Sequence, residues 1–476
     1  MDTLRLMLPD LLLLALILGL AFTRRHAGLV ALYGLIVIAG FQLGSFWSGA
    51  GTGTVGGMLQ LDAFAVTGRV ALLLAAAGVV ALGLDRLPEG LAGGRKLALM
   101  LLSLLGAFLL PAASDLVMVY LGLELLWLPA CVTLLRPTDG AAPVEGALKT
   151  FFYGAGLSAT YLFGTTLLYG LSGTTDLGGV ARQLMQLGTT TNGPMLLGAL
   201  LVVGALAAKI ALVPFHAYYP DAIEESTGTS TAYLLVVPLM AGAMVVMRVL
   251  FTALPSARDL WAPLLVVACL LTLVVGPVLA LAQTDLKRIL ASAVITQAGF
   301  WSLGLLALAH PDSSRDALAS VLMGTFTTGL ALLAALAVLQ ALSAERLMDL
   351  SGLFQRSPGL AVCLAVACLG LSGLPPVAGF WAKLLLFKSV VSYANAAMAY
   401  GLVWLVAIAG LSALVLSYAL MRPLRVAFFE PVPEAAPVAL SPGLLAVAGL
   451  GAVGSILLFL LPHALWQPVL AAVAGL

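Results

Sequence analysis

Charge is what this sequence has least of. Charged residues make up 9% of the chain, where a soluble domain carries about 25%. That scarcity excludes an ordinary water-soluble domain, and no basic patch of the kind that binds nucleic acid is present. Cysteine is as sparse. Cys131, Cys269, Cys363 and Cys368 all lie inside apolar runs, with no CxxC pair and no Cys/His cluster. The spacing speaks against disulfides or a zinc site and favours buried cysteine as a small hydrophobe. A P-loop, a dinucleotide glycine fingerprint and haem or iron–sulfur spacing are all missing. The chain is therefore expected to carry no cofactor, metal or redox centre of its own. The longest non-apolar stretches, near 136–146 and 173–192, are loop-sized, so a separate soluble domain is not expected.

What the chain does have is apolar length. Hydrophobic residues make up 62% of it, and runs such as "LLLLALILGLAF" (11–22) and "ALLLAAAGVVALGL" (71–84) recur throughout. A bilayer core of roughly 30 Å takes about 20 such residues per helix. Barrel strands would alternate over about 10 residues instead. The fold class is therefore all-α polytopic membrane protein, with the 50 glycines suited to close helix packing in lipid. Splitting at charges, Gly/Pro clusters and polar turns predicts about fourteen spans: 7–23, 27–48, 61–84, 95–111, 113–135, 147–172, 193–218, 229–252, 261–283, 287–309, 315–343, 359–388, 397–421 and 440–461.

Basic residues then set the orientation. With the N-terminus outside, the inward loops carry Arg24, Arg25, Arg86, Arg95, Lys96, Arg136, Lys149, Lys287, Arg288, Arg346, Arg356, Arg422 and Arg425. The opposite side carries Arg5, Arg182, Arg248, Arg258, Arg315 and Lys388. This bias predicts both termini outside. Arg24 and Arg25 follow the first apolar run instead of preceding it, unlike a cleaved signal.

Ionisable groups at membrane depth face protein or water and default to a functional hypothesis. Arg69 reads as a structural charge snorkelling from a helix end. Glu124, Lys209 and Lys383 lie deeper, and two of them adjoin prolines: Pro214 follows Lys209, and Pro375–Pro376 precede Lys383. Proline breaks a helix, and in lipid the freed backbone groups must be buried in protein or line a wet cavity. Broken helices in corresponding halves point to a transport site. Spans seven and twelve would correspond if spans 4–8 and 9–13 are two five-helix repeats. A carboxylate arriving at about 4 Å changes a buried ammonium's energy by roughly 4 kcal/mol at an effective dielectric of 20. About 1.4 kcal/mol is a tenfold change in proton affinity. Glu124 could thus switch Lys209 between holding and releasing a proton, the pair titrating as a unit; a purely structural ion pair is the other reading. Of the scattered histidines His26, His216, His310 and His463, only His216, in "PFH", sits at a break, as a relay or a polar cap. Asp221, Glu224 and Glu225 read as a solvated acidic turn.

Five stretches carry a family resemblance: "SDLVMVYLGLELLWLPACVTLL", "GALKTFFYGAGLSATYLFGTTLLYGLSGTTDL", "AAKIALVPFHAYYPDAI", "DLKRILASAVITQAGFWSLGLLA" and "DLSGLFQRSPGLAVCLAVACLGLSGLPPVAGFWAKLLLFKSVV". Over residues 113–390 the chain resembles the antiporter-like membrane subunits of respiratory complex I (NADH:quinone oxidoreductase), most closely the subunit N type. The resemblance implies fourteen helices in two inverted five-helix repeats, with helices 7 and 12 broken. The chain would divide into residues 1–94 (helices 1–3), 95–252 (helices 4–8), 253–421 (helices 9–13) and 422–476 (helix 14). It further implies proton translocation within a membrane arm of other subunits, in a bacterial inner membrane. FMN, iron–sulfur clusters and quinone would belong to partner subunits. The family's proton-carrying positions fall on Glu124, Lys209 and Lys383, with Lys149, His216 and Gln297 as possible relay groups. Leu239 or its neighbours stand where members usually carry a helix-8 lysine, and Gln297 where a helix-10 histidine is often found. A subunit of a cation/proton antiporter or of a membrane-bound hydrogenase complex, and a non-conducting structural subunit, remain alternatives, because fold alone does not select among them.

Overall fold

The computed structural model describes residues 2–49, 51–87, 90–135, 145–187, 193–307, 311–396, 398, 401–431 and 441–476. Arg136 and His310 lie outside the described residues. The chain opens with α1 (Asp2–Phe22), α2 (Ala27–Trp47) and α3 (Ala63–Gly83). A small antiparallel hairpin of β1 (Gly53–Val55) and β2 (Leu59–Leu61), paired Gly53 to Leu61, joins the last two. Next come α4 (Leu91–Leu109), α5 (Leu116–Thr133), α6 (Glu145–Ser172) and α7 (Leu177–Leu187). The proline-containing seventh span is two helices, α8 (Gly193–Lys209) and α9 (Tyr218–Glu225). It is followed by α10 (Thr229–Thr252), α11 (Arg258–Ala282), α12 (Leu286–Leu305), α13 (Pro311–Leu342) and the single turn α14 (Leu353–Arg356). The twelfth span is likewise split, into α15 (Pro358–Ser372) and α16 (Gly379–Ala396). The helices α17 (Gly401–Phe429), α18 (Pro442–Leu460) and α19 (His463–Val473) complete the order. Among the described residues, ten helices are long and apolar enough to cross a membrane, and α8 and α15 are shorter apolar helices.

Aspartates start several of these helices by accepting an orphan backbone N–H at the N-cap. Asp62 accepts from Ala65 N at 2.8 Å, Asp115 from Val117 N at 2.7 Å and Asp285 from Arg288 N at 2.9 Å. Two segments differ from expectation. The stretch 173–192, expected as loop, contains α7, because Leu177, Val180 and Leu184 recur on one buried face. The acidic residues Asp221, Glu224 and Glu225, expected as a solvated turn, belong to α9.

At the centre is α10, buried at every residue from Thr229 to Leu250. It packs against α3, α4, α8, α12 and α13. Two buried arginine–aspartate pairs fasten α1 to α3 and the start of α3 to this centre. The Arg69 guanidinium donates to both carboxylate oxygens of Asp10 (3.1 and 3.2 Å) and, through Nε, to Phe108 O at 2.9 Å, the end of α4. Arg248 holds Asp62 through both oxygens (2.7 and 2.8 Å) and donates to Pro111 O. Arg69 is 0% exposed, so it does not snorkel. Its guanidinium is enclosed by protein, and its charge is met by Asp10 and the carbonyl end of α4. Arg248, expected near the outer surface, is also buried, because the last turns of α10 stay inside the bundle.

Removing one member of a buried pair strands the other, at a cost of roughly 3–5 kcal/mol, whereas replacing both by apolar groups can be neutral. Asp10→Ala should therefore lower the midpoint of thermal unfolding in detergent far more than Asp10→Leu combined with Arg69→Met. Equal losses in the two variants would refute a stranded-charge effect.

Candidate functional site

The two split helices break in the same way. Each first half ends in a turn whose residue just past the helix has positive φ: Ala211 at 56° after α8 and Gly373 at 76° after α15. In both, the following N–H reaches back to the last turn of the helix. Leu212 N donates to Ala207 O at 3.1 Å, and Leu374 N to Leu369 O at 3.1 Å. This is the Schellman pattern that satisfies helix-end carbonyls. Both breaks then contain a cis X-Pro bond, Val213–Pro214 and Pro375–Pro376. The Val213 N–H left free by the first break donates to Thr272 Oγ1 of α11 at 3.0 Å.

Aligned on these turns and prolines, the breaks match residue for residue without a gap. The lysines do not. Lys209, in the last turn of α8, corresponds to Leu371, and Lys383, in the second half-helix, corresponds to Asp221. The breaks are in register, but their cations sit on opposite sides of the interruption.

Lys383 reaches back across its break. Its Nζ donates to Leu371 O (3.1 Å) and Ser372 O (2.8 Å), the last carbonyls of α15, and lies 4.2 Å from the centroid of the Phe300 ring. A cation is favoured at a helix C-terminus, where the carbonyls have no intrahelical partners. Gln297 Nε2 of α12 donates to the same Leu371 O at 2.6 Å. Gln297, Lys383 and the broken end of α15 thus form one cluster, bordered by Ser320, Thr327 and Thr328 around a cavity of about 10 Å³.

Lys209 is held differently. It is buried, yet its Nζ has no hydrogen-bond partner. The ammonium lies 4.8 Å from the Trp127 ring centroid and borders a cavity of about 20 Å³ with Thr150, Tyr218, Tyr219, Pro238 and Leu239. A cavity above about 10–15 Å³ has room for one water. Thr150 Oγ1, on the same wall, is also without a partner. Glu124, one turn before Trp127 on α5, carries a buried and unpartnered Oε1. It forms no ion pair with Lys209 within 4.0 Å among the described residues. A closed structural ion pair between Glu124 and Lys209 is therefore not what is seen.

The remaining candidates divide. His216 lies half-buried in the first break with an unpartnered Nδ1. Lys149 points to the surface, 44% exposed, paired to Glu145 at 2.8 Å and Asp221 at 3.3 Å. It stands beside the Lys209 cavity only through its neighbour Thr150. Leu239 of α10, the eighth span, lies on the cavity wall beside Lys209, so that wall presents no ammonium. Sequence reasoning missed Trp127, Thr150 and Phe300. Trp127 was the findable one, since it lies one helical turn from Glu124. Trp127 Nε1 donates to Thr150 O at 3.0 Å, and a Cβ on Gly154 would collide with its ring.

Chemically, the arrangement offers two buried primary ammonium groups, each beside a small, mainly apolar cavity at a broken helix. Among the described residues no group of His, Cys, Asp and Glu is placed to hold a metal. The transmembrane family model described as NADH:quinone oxidoreductase/Mrp antiporter matches residues 113–417. NADH-quinone oxidoreductase subunit N of Chloroflexus aggregans is 34% identical, covering 94% of this chain and 90% of that one. Subunit N 2 of Acidobacterium capsulatum is 35% identical, covering 82% and 80%. A chain of respiratory complex I from Thermus thermophilus superposes with a TM-score of 0.80 at 26% identity, covering 99% of this chain and all of that one. A chain of a Dietzia Mrp complex shares the fold with a TM-score of 0.84 at 19% identity, covering 100% and 97%.

The two break turns predict opposite responses. Alanine pays about 1–2 kcal/mol to adopt the left-handed region that glycine enters freely. Ala211→Gly should raise the thermal midpoint of the purified protein, and Gly373→Ala should lower it. The second effect should be the larger, because the new Cβ also meets the stem of Lys383.

Proposed function

Since the chain belongs to the NADH:quinone oxidoreductase/Mrp antiporter transmembrane family, we propose that it is a proton-translocating, antiporter-like subunit in the membrane arm of an NADH:quinone oxidoreductase. It would be a non-redox part of that translocase, with FMN, iron–sulfur clusters and quinone held by partner subunits. The proposed location is a bacterial inner membrane with both termini periplasmic, and the proposed division is 1–94, 95–252, 253–421 and 422–476.

One observation carries the mechanism: a buried lysine ammonium without a hydrogen-bond partner, at a helix break, beside a water-sized cavity walled by Trp127, one helical turn from the unpartnered Glu124. In this reading Lys209 holds the central proton, and Glu124 approaches to keep it or withdraws to release it. Lys383 is a second station of different character. Its proton is shared with the end of α15, so release there goes with rearrangement of that helix end and of Gln297. His216 would connect Lys209 with the opened backbone of the first break. Lys149 would act at the surface. Beyond Lys209 the proton would travel by water, since the facing wall is Leu239.

Arginine keeps a lysine's charge and does not release its proton in proteins, so it separates proton carriage from structure. Lys209→Arg in the assembled complex should leave quinone-reductase subunit content intact while coupled proton uptake by inverted vesicles falls about tenfold, equivalent to ~1.4 kcal/mol. Lys383→Arg should do the same. If Lys209→Arg pumps normally, the chain is a structural module and the proposal fails.

A further inference from the structure

The short helix α9 has two faces with different company. Tyr218, Tyr219, Ala222 and Ile223 face inward and wall the Lys209 cavity. Tyr219 is tied to the core by its hydroxyl, which donates to Leu234 O at 3.2 Å. Asp221 and Glu224 face outward, and cations from two other helices hold them. Arg288, in the first turn of α12, donates through Nη2 to Asp221 at 2.8 Å and through Nε to Glu224 at 2.5 Å. Lys149 of α6 adds a contact to Asp221 at 3.3 Å. Lys287, beside Arg288, donates to the backbone oxygens of Glu224 (3.2 Å) and Ser226 (3.0 Å), where α9 ends. On the far side of α9, Glu225 accepts from Gly146 N of α6 at 2.6 Å.

Stability so arranged is unequal. The inward face of α9 closes a cavity, so it packs against less than a solid core would supply. The outward face rests on partly exposed ion pairs, Arg288 being 29% exposed at its side chain and Glu224 44%. Such pairs are individually weak but act together on one short element. Tyr218, Tyr219, Pro220, Ala222 and Ile223 of α9 are buried, so the ion pairs of its outward face are the contacts that can be released without unpacking the core. The helix that supplies Lys287 and Arg288 is also the one that carries Gln297, whose amide binds the broken end of α15 at Lys383. One element, α12, thus touches both interruptions.

We propose that α9 is the gate between the surface and the Lys209 cavity, and that Arg288 is its latch, with Lys287 and Lys149 in support. A shift of α12 that accompanies a change at Lys383 would pull on the latch and alter access to Lys209. Arg288 is a positioning residue here: it touches neither the ammonium nor the cavity and acts through α9. The inference rests on the proposal that Lys209 carries a proton, yet it concerns access, which is measurable without proton transfer.

The test uses Ala222→Cys as a reporter on the inner face of α9, in inverted membrane vesicles carrying the whole complex. The rate of modification by aminoethyl methanethiosulfonate is read by mass spectrometry, against the chain lacking that reporter to subtract the native cysteines. Arg288→Gln should raise the rate about tenfold, equivalent to ~1.4 kcal/mol of latch. Arg288→Lys should stay close to the parent. Arg288→Glu should open the gate, and the charge swap Arg288→Glu with Glu224→Arg should slow the labelling again part of the way, because it restores the pair at 224 while Asp221 still faces a carboxylate. That swap keeps the test decisive if Arg288→Gln does not assemble. A rate unchanged in Arg288→Gln, or a swap that labels as fast as Arg288→Glu alone, overturns the latch. Failure of Lys209→Arg to affect pumping would instead overturn the proton-carrier reading and leave the labelling result standing.

Discussion

A helix interrupted inside a bilayer leaves carbonyls and amides that lipid cannot satisfy, and everything distinctive here depends on how those groups are met. In the second break the answer is a cation. The Lys383 ammonium and the Gln297 amide share the end of α15. In the first break the backbone satisfies itself through its end turn and Thr272. Lys209 is therefore free of that duty, and its ammonium faces a cavity. The two lysines look alike in the sequence and have different surroundings, because one is already bonded to the backbone.

The matching of the two breaks makes the difference instructive. The same frame holds a cation before the interruption in one half and after it in the other. Where the second half has Lys383, the first has Asp221, drawn outward by Arg288 and Lys149. The negative charge at that place adds ion pairs at the surface to the core contacts of the second half-helix. The cavity beside Lys209 can then be walled by Tyr218, Tyr219 and Ile223. The burial of α10 keeps both sites inside one rigid frame. The pairs Arg69–Asp10 and Arg248–Asp62 lock α1 and α3 to that frame through the ends of α4 and α10.

Much of this was legible beforehand. The apolar runs locate the helices, and the prolines locate the breaks, because backbone chemistry is local: Pro214 and Pro376 remove a donor wherever they sit. The resemblance over residues 113–390 pointed to Glu124, Lys209 and Lys383; both lysines are buried in the bundle, as is one carboxylate oxygen of Glu124. Other features were hidden. Arg69 read as a snorkelling charge because its partner, Asp10, is distant in the chain. The acidic residues of α9 read as solvated because their cations come from α6 and α12. Lys149, offered as a relay group, turned out to be one of those surface cations.

By itself the sequence determined the solvent of this protein, its helices, the two places where helices break and the few charges left in the apolar interior. Those are consequences of residue type and spacing along one strand of chain. The tertiary structure decided which of those charges are satisfied and which are not. Whether an ammonium meets a carbonyl end, an aromatic ring, an aspartate or a cavity depends on atoms brought from other helices. At membrane depth that company decides whether a charge serves as a fastening or as a group free to exchange its proton.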